Sequence, residues 1–526
     1  MALSLPPEIL DQIFSYLTSE WQEESQALAG LFNVQQFNWH VYASVCKQWQ
    51  AFVERKNFTD IHLTPARLPE FCRIFGLSSH EPSSLSKYRR RLLKSLTFKV
   101  VLPEYDVETR ARVENKTDRN QNSQIFTDGV KALWEVLSTW PESSQRPLSL
   151  RLCAQSPSDH LARHDSDAML TRFQERFETG DILGDRYENS FLELKEDLER
   201  PIKIIDEFII ETIIYRQITP VAALHIISRL PRLKTVNLQI NDPELNGDKE
   251  EKFRDRLRQE FSRSISDLPQ SVDTFRLDYA ATPLYEKRPA LQRSLPGCDS
   301  LSLALHNMSQ QLVYIELLNI MISPELFWSP GNTTQWPKLQ TFHLSFASAT
   351  CSGEWLLEKD PRWRTQMVNP FTGEIEPDDV PPPDYMLPDV FRIKPTEAIN
   401  TLYVAAGQAA QNMPQLKSMK IVSLAFTVEE NGLEYLFDEM AEHWLNYQRS
   451  EGKATWISTS EFHPSNEVRE TWNEVAKSHG HREATIENLG FHGRAPHWED
   501  DPRDFDESYR EQEQCFSWDN YQEDDH

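Results

Sequence analysis

The clearest candidates for metal chemistry are four histidines that lie close together near the end of the chain: His479, His481, His492 and His497. Zinc sites usually combine such histidines with cysteine, or place two histidines one helical turn apart. These four have no cysteine partner and no i, i+4 pair among them. We therefore expect separate side chains, and the sequence predicts neither a metal site nor a cofactor.

Motifs that mark catalysis are missing from the sequence. It contains no Gly-x-x-x-x-Gly-Lys-Ser/Thr loop, no Gly-x-Gly-x-x-Gly, no His-Glu-x-x-His and no Gly-x-Ser-x-Gly. Asp/Glu pairs are numerous, but nothing distinguishes one of them as a glycosidase pair. The sequence therefore predicts a protein that is not an enzyme.

Composition restricts the class of partner. A net charge of −26 disfavours binding to the phosphate backbone, so no nucleic-acid partner is expected. The six cysteines are far apart, which is typical of a reducing compartment. We find no signal peptide and no apolar run of about 20 residues, and expect no membrane contact. These features predict a cytoplasmic or nuclear protein, or one found in both. A chain of 526 residues should form two or more structural units.

Two short amphipathic helices are predicted in the first sixty residues. Pro6 and Pro7 suit the opening turn of the first helix, and Ser4 can cap it. Helices this short are marginally stable alone, so each must bury its apolar stripe against the chain or a partner. The first stripe consists of Ile9, Leu10, Ile13, Phe14 and Leu17. The second consists of Trp39, Tyr42, Val45, Cys46, Trp49, Phe52 and Val53.

These motifs give residues 1–60 a resemblance to an F-box, the module that binds the adaptor of cullin–RING ubiquitin ligases. The matching runs are Leu-Pro-x-Glu-Ile-Leu-x-x-Ile-Phe-x-x-Leu, from Leu5 to Leu17, and Val-Cys-x-x-Trp, from Val45 to Trp49. Between Leu17 and Val45 the sequence departs from the family: the spacing is about twice the usual one, and the polar excess should loop out. The alternative is a helical pair that caps a larger domain. The resemblance implies a surface for a Skp-type adaptor formed by Leu5, Pro6, Ile9, Leu10, Ile13, Leu17, Val45, Cys46 and Trp49.

A loose repeat of the form apolar-x-x-apolar-x-apolar follows. Alternation of this kind predicts short strands, and Pro precedes several of them. Helices are predicted between the strands, over 123–140, 205–229, 249–266, 300–311, 396–412 and 430–447. The motifs begin at Leu93, Leu233, Val272, Leu312, Leu339 and Leu416, with a further unit near Leu148.

A helix, a proline and a short strand in repetition resemble a leucine-rich repeat. The start-to-start distances vary widely and most lack the usual asparagine, so the array is irregular. The alternative is a non-repetitive α/β domain. The predicted fold class is α/β: a small helical F-box, then an irregular leucine-rich-repeat-like solenoid over 87–495. A strand–helix–strand unit from Lys453 to Leu489 would cap it.

Two segments stand apart from the repeat. Residues 355–394 combine many prolines with aromatic side chains, of which Trp355, Trp363, Phe371 and Tyr385 are candidates for target binding. Alternatively, this loop folds back over a gap between repeats. Residues 499–526 hold twelve acidic residues and two arginines, a net charge of −10, and should be disordered. The tail would serve solubility or bind a basic surface.

Together these expectations describe a non-catalytic subunit of an F-box-containing ubiquitin ligase. As a substrate receptor in the ubiquitin conjugation pathway, it would bind the Skp-type adaptor, and through it a cullin, while the body binds an unknown target protein. Two alternatives are a scaffold that binds the adaptor without ubiquitin transfer, and a plain repeat protein whose N-terminal helices form a cap.

Overall fold

The computed structural model describes residues 47–77, 83–110, 112–140, 147–160, 186–187, 190–211, 216–242, 248–280, 299–328, 334–347, 349–351, 354–359, 392–425, 441–458 and 462–490. Within these ranges the chain has a mixed α/β fold built around one large, mostly parallel sheet. The acidic segment 499–526 and the first predicted helix lie outside the described residues. The described strands and helices confirm the prediction of an α/β body.

Twelve of the described strands form the large sheet, and they lie side by side in chain order from β1 to β8 and then from β11 to β14. Neighbours are parallel except where β12 runs against β11 and β13. The remaining two strands, β9 and β10, form a separate antiparallel pair. The strands are β1 Asp60–Leu63, β2 Ser95–Val101, β3 Leu148–Gln155, β4 Ile205–Ile210, β5 Thr235–Asn241, β6 Thr274–Ala280, β7 Tyr314–Ile320, β8 Thr341–Phe346, β9 Leu357–Lys359, β10 Arg392–Pro395, β11 Ser418–Ala425, β12 Ala441–Gln448, β13 Lys453–Ser458 and β14 Thr485–Gly490.

Helices connect most of the parallel strands. Several helices begin just after a residue whose side chain caps them. The side chains of Asn115 and Ser465 each accept hydrogen bonds from backbone N–H groups in the first turn of the helix that follows. The helices are α1 Lys47–Thr59, α2 Leu68–Phe75, α3 Ser84–Leu92, α4 Val107–Arg110, α5 Lys116–Ser138, α6 Pro157–His160, α7 Pro220–Ser228, α8 Asp248–Ser264, α9 Ser300–Ser309, α10 Glu397–Ala410 and α11 Asn466–Ser478. Short 3₁₀ turns occur at Pro65–Arg67, Ile265–Asp267 and Pro324–Leu326.

The apolar repeat explains the register of the sheet. All six motifs, and the unit near Leu148, form strands, and equivalent apolar positions of adjacent strands pair directly. Leu238, Leu277 and Leu317 are direct neighbours in this way, and all three are fully buried. Alternate residues of a strand face opposite sides of the sheet. This row of leucines faces the helices, and the residues between them in sequence form a second row on the outward face.

One continuous apolar core lies between the sheet and the helices. It extends from Leu63 in β1 to Val475 in α11 and includes buried side chains of the long helix α5, such as Phe126 and Leu133. Burying apolar area at about 25 cal/mol per Å² makes this layer the main source of stability. The core thus unites sheet and helices from residue 60 to residue 486.

Several predicted elements were wrong. The helix expected over 205–229 is instead strand β4 followed by helix α7, because the run Ile205–Ile210 is buried and reads equally as a strand. The end of the helix expected over 430–447 is strand β12; the rest of that helix lies outside the described residues. The body also begins earlier than residue 87, since β1 already belongs to its sheet.

Candidate interaction surfaces

The expected adaptor surface is described only at its last residue. Leu5, Pro6, Ile9, Leu10, Ile13, Leu17, Val45 and Cys46 lie outside the described residues, and Trp49 lies half-buried on α1. Adaptor binding by these side chains therefore stays a prediction.

Helix α1 is joined to the body without a linker. It ends at Thr59 and β1 begins at Asp60, and the Thr59 carbonyl accepts a hydrogen bond of 2.8 Å from the Lys94 backbone N–H. Glu54 on α1 pairs with Arg89 on α3 at 2.7 Å, and both side chains are largely buried. The Arg89 guanidinium also lies 4.9 Å from the ring centroid of Phe58. These contacts fix the direction of α1 relative to the sheet.

Two further residues of α1 are buried but do not belong to the continuous core of the body. Phe52 and Val53 are 6% and 2% exposed. Among the described residues the continuous core begins at Leu63, and neither side chain belongs to it. Phe58, in the last turn of the same helix, packs against this core and meets the ring of Phe75 edge to face at 5.8 Å, so the end of α1 shares the packing of the body.

A charged row crosses the outward face of the sheet. It consists of Arg276, Glu316, His343 and Lys420, which are direct register neighbours on β6, β7, β8 and β11. The Glu316 carboxylate lies between two of its neighbours, 3.4 Å from Arg276 Nε and 3.6 Å from His343 Nδ1. All four side chains are only partly buried. The row therefore presents positive and negative charges side by side to the surroundings.

Aromatic rings border the charged row. The Arg276 guanidinium lies 5.2 Å from the ring centroid of Tyr314, and Lys420 Nζ lies 5.5 Å from that of Trp444. The rings of Tyr314 and His343 meet edge to face at 5.9 Å. Rings and cations in this arrangement bind polypeptide side chains through both apolar and polar contacts.

The electrostatics of the row keep Glu316 ionised. Burial raises the pKa of Glu316, but the hydrogen bond from His343 and the charge of Arg276 outweigh it, so the net shift is downward. Burial, with the charge of Glu316, raises the pKa of Tyr314 to about 12, which keeps that phenol neutral. At neutral pH the row thus offers one anion held between cationic and polar groups. An anion placed in this way is a candidate contact for a basic side chain of another protein.

The candidate target-binding loop is described at its two ends. Strand β9 pairs with β10, and Lys394 bridges Glu358 at 2.7 Å. Trp355 is half-buried; its backbone carbonyl accepts a 2.7 Å hydrogen bond from Thr396 Oγ1. Trp363, Phe371 and Tyr385 lie outside the described residues. The paired strands bring the ends of the loop together, and its role in target binding stays a prediction.

Buried ionic networks lie near the carboxyl ends of the parallel strands, and sequence reasoning missed them. In the first, Arg216 binds Glu114 through two contacts. In the second, Arg254 Nε donates to Asp242 at 2.6 Å, and Arg258 Nη2 donates to the Met321 carbonyl at 3.1 Å. Their partners come from distant segments, so no local pattern reveals them. Each of the three arginines has a carboxylate beside it, and these contacts hold together loops that are distant in sequence.

The histidines near the end of the chain have separate partners where they are described. His479 Nε2 lies 3.2 Å from the Met413 carbonyl, while His481 Nε2 lies 2.6 Å from that of Arg449. His492 and His497 lie outside the described residues. In the parts of the chain that the structure covers, no three His, Cys, Asp or Glu side chains are placed to hold a metal ion. None of the described helices is both long and apolar enough to cross a membrane.

Comparison with known proteins adds one similarity. The model of a family of unknown function (DUF6546) matches residues 388–497. This stretch contains β10, α10, β11, β12, β13, α11 and β14, and so includes both antiparallel pairings of the described large sheet. No curated protein matches the chain. The family match covers about a fifth of the sequence and identifies its last structural unit as a recurring one.

Proposed function

We propose that this chain is the substrate receptor of a cullin–RING ubiquitin ligase of the F-box type. The observation that carries the proposal is the pair of apolar motifs from Leu5 to Leu17 and from Val45 to Trp49. These residues would bind a Skp-type adaptor, which in turn binds a cullin. The α/β body would hold the target protein. The chain would contribute no catalytic group.

The arrangement of the body supports an irregular leucine-rich-repeat-like solenoid. From β1 to β8 each strand lies next to its predecessor in sequence, with equivalent leucines in register. In a solenoid each strand–helix unit buries its apolar face against its neighbours, and the continuous core along the described strands supports such stacking. The reversed strand β12 and the strands after it would then cap the last unit.

The connection between α1 and β1 supports a receptor in particular. A ligase accelerates ubiquitin transfer by raising the local concentration of target lysines, and this requires a stiff path from adaptor to target. The Glu54–Arg89 pair and the direct passage from Thr59 to Asp60 provide such stiffness. Phe58 on α1 adds to this stiffness, because it packs against the core of the body. The charged row and the loop between β9 and β10 are candidate target contacts.

A scaffold that binds the adaptor without delivering a target is the second candidate. It rests on the same motifs, but it needs no target contact on the outward face. Ubiquitin transfer to captured proteins separates the two functions, since only the receptor produces it.

The first test is adaptor binding by the full chain. Purified Skp-type adaptor should bind the wild type, and replacing Leu5, Pro6 and Ile9 by alanine should weaken the complex by at least about a hundredfold. Buried apolar anchors each contribute about 1–3 kcal/mol, and 1.4 kcal/mol is a factor of ten in affinity.

The control replaces three exposed apolar residues outside the motif, Leu85, Tyr88 and Val113, which are 41%, 37% and 60% exposed. This variant should bind the adaptor like the wild type. No binding by a folded wild type, or equal binding by both variants, would overturn the proposal.

A further inference from the structure

A basic pocket opens at the edge of the sheet where β11 and β13 begin. It has a volume of about 490 Å³ and lies at the turn between β12 and β13. Two of its lining residues carry a fixed positive charge, Lys417 and Arg449, and none is acidic. The pocket is lined by Lys417, Gln448, Arg449, Ser450, His479 and His481.

Hydrogen bonds hold the walls of the pocket in place. The Arg449 backbone N–H donates to the Lys417 carbonyl at 2.9 Å, and its Nη1 donates to the Pro414 carbonyl. His481 Nε2 donates to the Arg449 carbonyl at 2.6 Å. Gly452 turns the chain beneath the His481 ring with a φ of 60°. The pocket is therefore preformed, which lowers the entropy cost of binding.

The buried histidine of the pocket does not supply charge. His479 Nε2 lies beside the Met413 carbonyl and so carries the hydrogen, which leaves Nδ1 to accept from the Tyr447 hydroxyl at 2.8 Å. Burial lowers the pKa of His479, and the charge of Arg449 lowers it further. His479 therefore adds nothing to the positive charge of Lys417 and Arg449.

Lys417 has the most accessible charge. Its side chain is exposed, whereas Arg449 is half-buried. Nearby, Glu451 and Glu483 lie in the adjoining turns, together with Arg482, but none of the three lines the pocket. An anionic segment entering the pocket would thus meet Lys417 first.

We propose that this basic pocket binds the acidic C-terminal segment of the same chain, residues 499–526. That segment carries a net charge of −10, opposite in sign to the pocket. Strand β14 runs parallel to β13 and ends at Gly490, at the edge of the sheet opposite the pocket. The return distance is about 20 Å for six residues of strand. The eight residues 491–498 can span about 27 Å, so the acidic segment can reach the pocket.

Covalent attachment strengthens the contact. A tethered segment has an effective concentration in the millimolar range, so even weak ionic attraction keeps the pocket occupied. A carboxylate-rich segment also matches the lining chemically. Lysine and arginine side chains, such as those of Lys417 and Arg449, can donate hydrogen bonds to carboxylates. An acidic region of another protein would then have to displace the chain's own segment.

The first test is zero-length carbodiimide cross-linking of the full chain, which joins lysine Nζ directly to a carboxylate in contact with it. We expect links between segment 499–526 and Lys417 that disappear at high salt, since exposed charges are screened. Lys234 provides a matched comparison. It is exposed and precedes β5 as Lys417 precedes β11, with an equivalent backbone hydrogen bond to the previous strand.

The second test uses trypsin cleavage after Arg503 and Arg510, both within the segment. The variant Lys417→Glu should release the segment and raise the cleavage rate several-fold, while Lys234→Glu should leave it unchanged. Thermal unfolding of each variant checks that the fold is intact.

Three outcomes would overturn the proposal. They are links to Lys417 no more frequent than to Lys234, equal cleavage rates in the two variants, and links that vanish on tenfold dilution. The last would show contact between chains. In the first two cases, the acidic segment does not occupy the pocket.

Discussion

Arg216 and Glu114 form a two-point ion pair inside the protein although they are 102 positions apart in sequence. Nη1 lies 3.0 Å from one carboxylate oxygen and Nη2 lies 2.8 Å from the other, and the side chains are 1% and 0% exposed. Asn122 donates to the same carboxylate at 2.6 Å, and the ring of Tyr187 lies 3.8 Å from the guanidinium. The pair holds the segment before α5 against the segment before α7.

Glu114→Gln should be strongly destabilising. The substitution leaves Arg216 buried without its counterion, and removing one partner of a buried pair costs about 3–5 kcal/mol. The midpoint of urea unfolding should fall clearly. The control is Glu474→Gln, which breaks a pair with Lys477 whose side chains are about half exposed. Exposed pairs contribute about 1 kcal/mol or less, so a similar shift in both variants would contradict this account.

His443 should make stability depend on pH. It is 1% exposed, its Nε2 lies 2.8 Å from the Tyr403 hydroxyl, and burial lowers its pKa to about 3. Unfolding restores a pKa of about 6.5, so between these values the unfolded chain binds more protons. His443 thus contributes stability above pH 6.5, and this is lost as the pH falls toward 3, by about 1.4 kcal/mol per pH unit.

The variant His443→Gln lacks this titration. Its free energy of unfolding should decrease less between pH 6.5 and pH 4.5 than that of the wild type. Replacing the exposed His62 by glutamine is the matched control for the loss of one imidazole. Parallel curves for wild type and His443→Gln, measured by urea unfolding at several pH values, would refute the prediction.

Gly452→Ala should destabilise the turn between β12 and β13 for two reasons. Its φ of 60° is strained for alanine, and an added Cβ would lie 2.6 Å from the His481 ring. The left-handed conformation alone costs about 1–2 kcal/mol. Gly480, with a φ of 95°, has nothing within 4 Å of an added Cβ, so Gly480→Ala should show strain without the clash. Equal thermal shifts would mean that the His481 ring moves away freely.

Deleting residues 362–390 should abolish target capture and leave adaptor binding intact. Because β9 and β10 are paired, a short glycine–serine turn can replace the deleted residues without separating the strands. The readout compares proteins ubiquitinated in the presence of full-length and shortened chains. Unchanged capture would mean that targets bind elsewhere, and the charged row around Glu316 would be tested next.

Local patterns predicted much of the sheet. The motifs beginning at Leu93, Leu233, Val272, Leu312, Leu339 and Leu416 all became strands, because their alternation places one row of side chains in the core. The helix after Ser465 and the strands on either side of it were also predicted correctly. Prediction failed at β4 and β12, where apolar residues are compatible with helix and strand alike, and pairing with neighbours decides between them.

The interaction surfaces were less predictable. Arg276, Glu316 and His343 lie on separate strands, and their row exists only because the register aligns those strands. Likewise, Lys417 and His481 come together through the turn at Gly452. Of the residues named in advance for adaptor or target contact, only Trp49 and Trp355 lie within the described chain.

By itself, the sequence determined the N-terminal motifs, the repeated strands and the uneven distribution of charge, because each of these depends only on residues that lie close together in the sequence. Only the tertiary structure decided the order and direction of the strands, the buried Arg216–Glu114 pair and the basic pocket beside Lys417. The physical reason is that periodicity reports which side of an element is buried, whereas charges separated by a hundred residues interact only after packing has brought them within hydrogen-bonding distance.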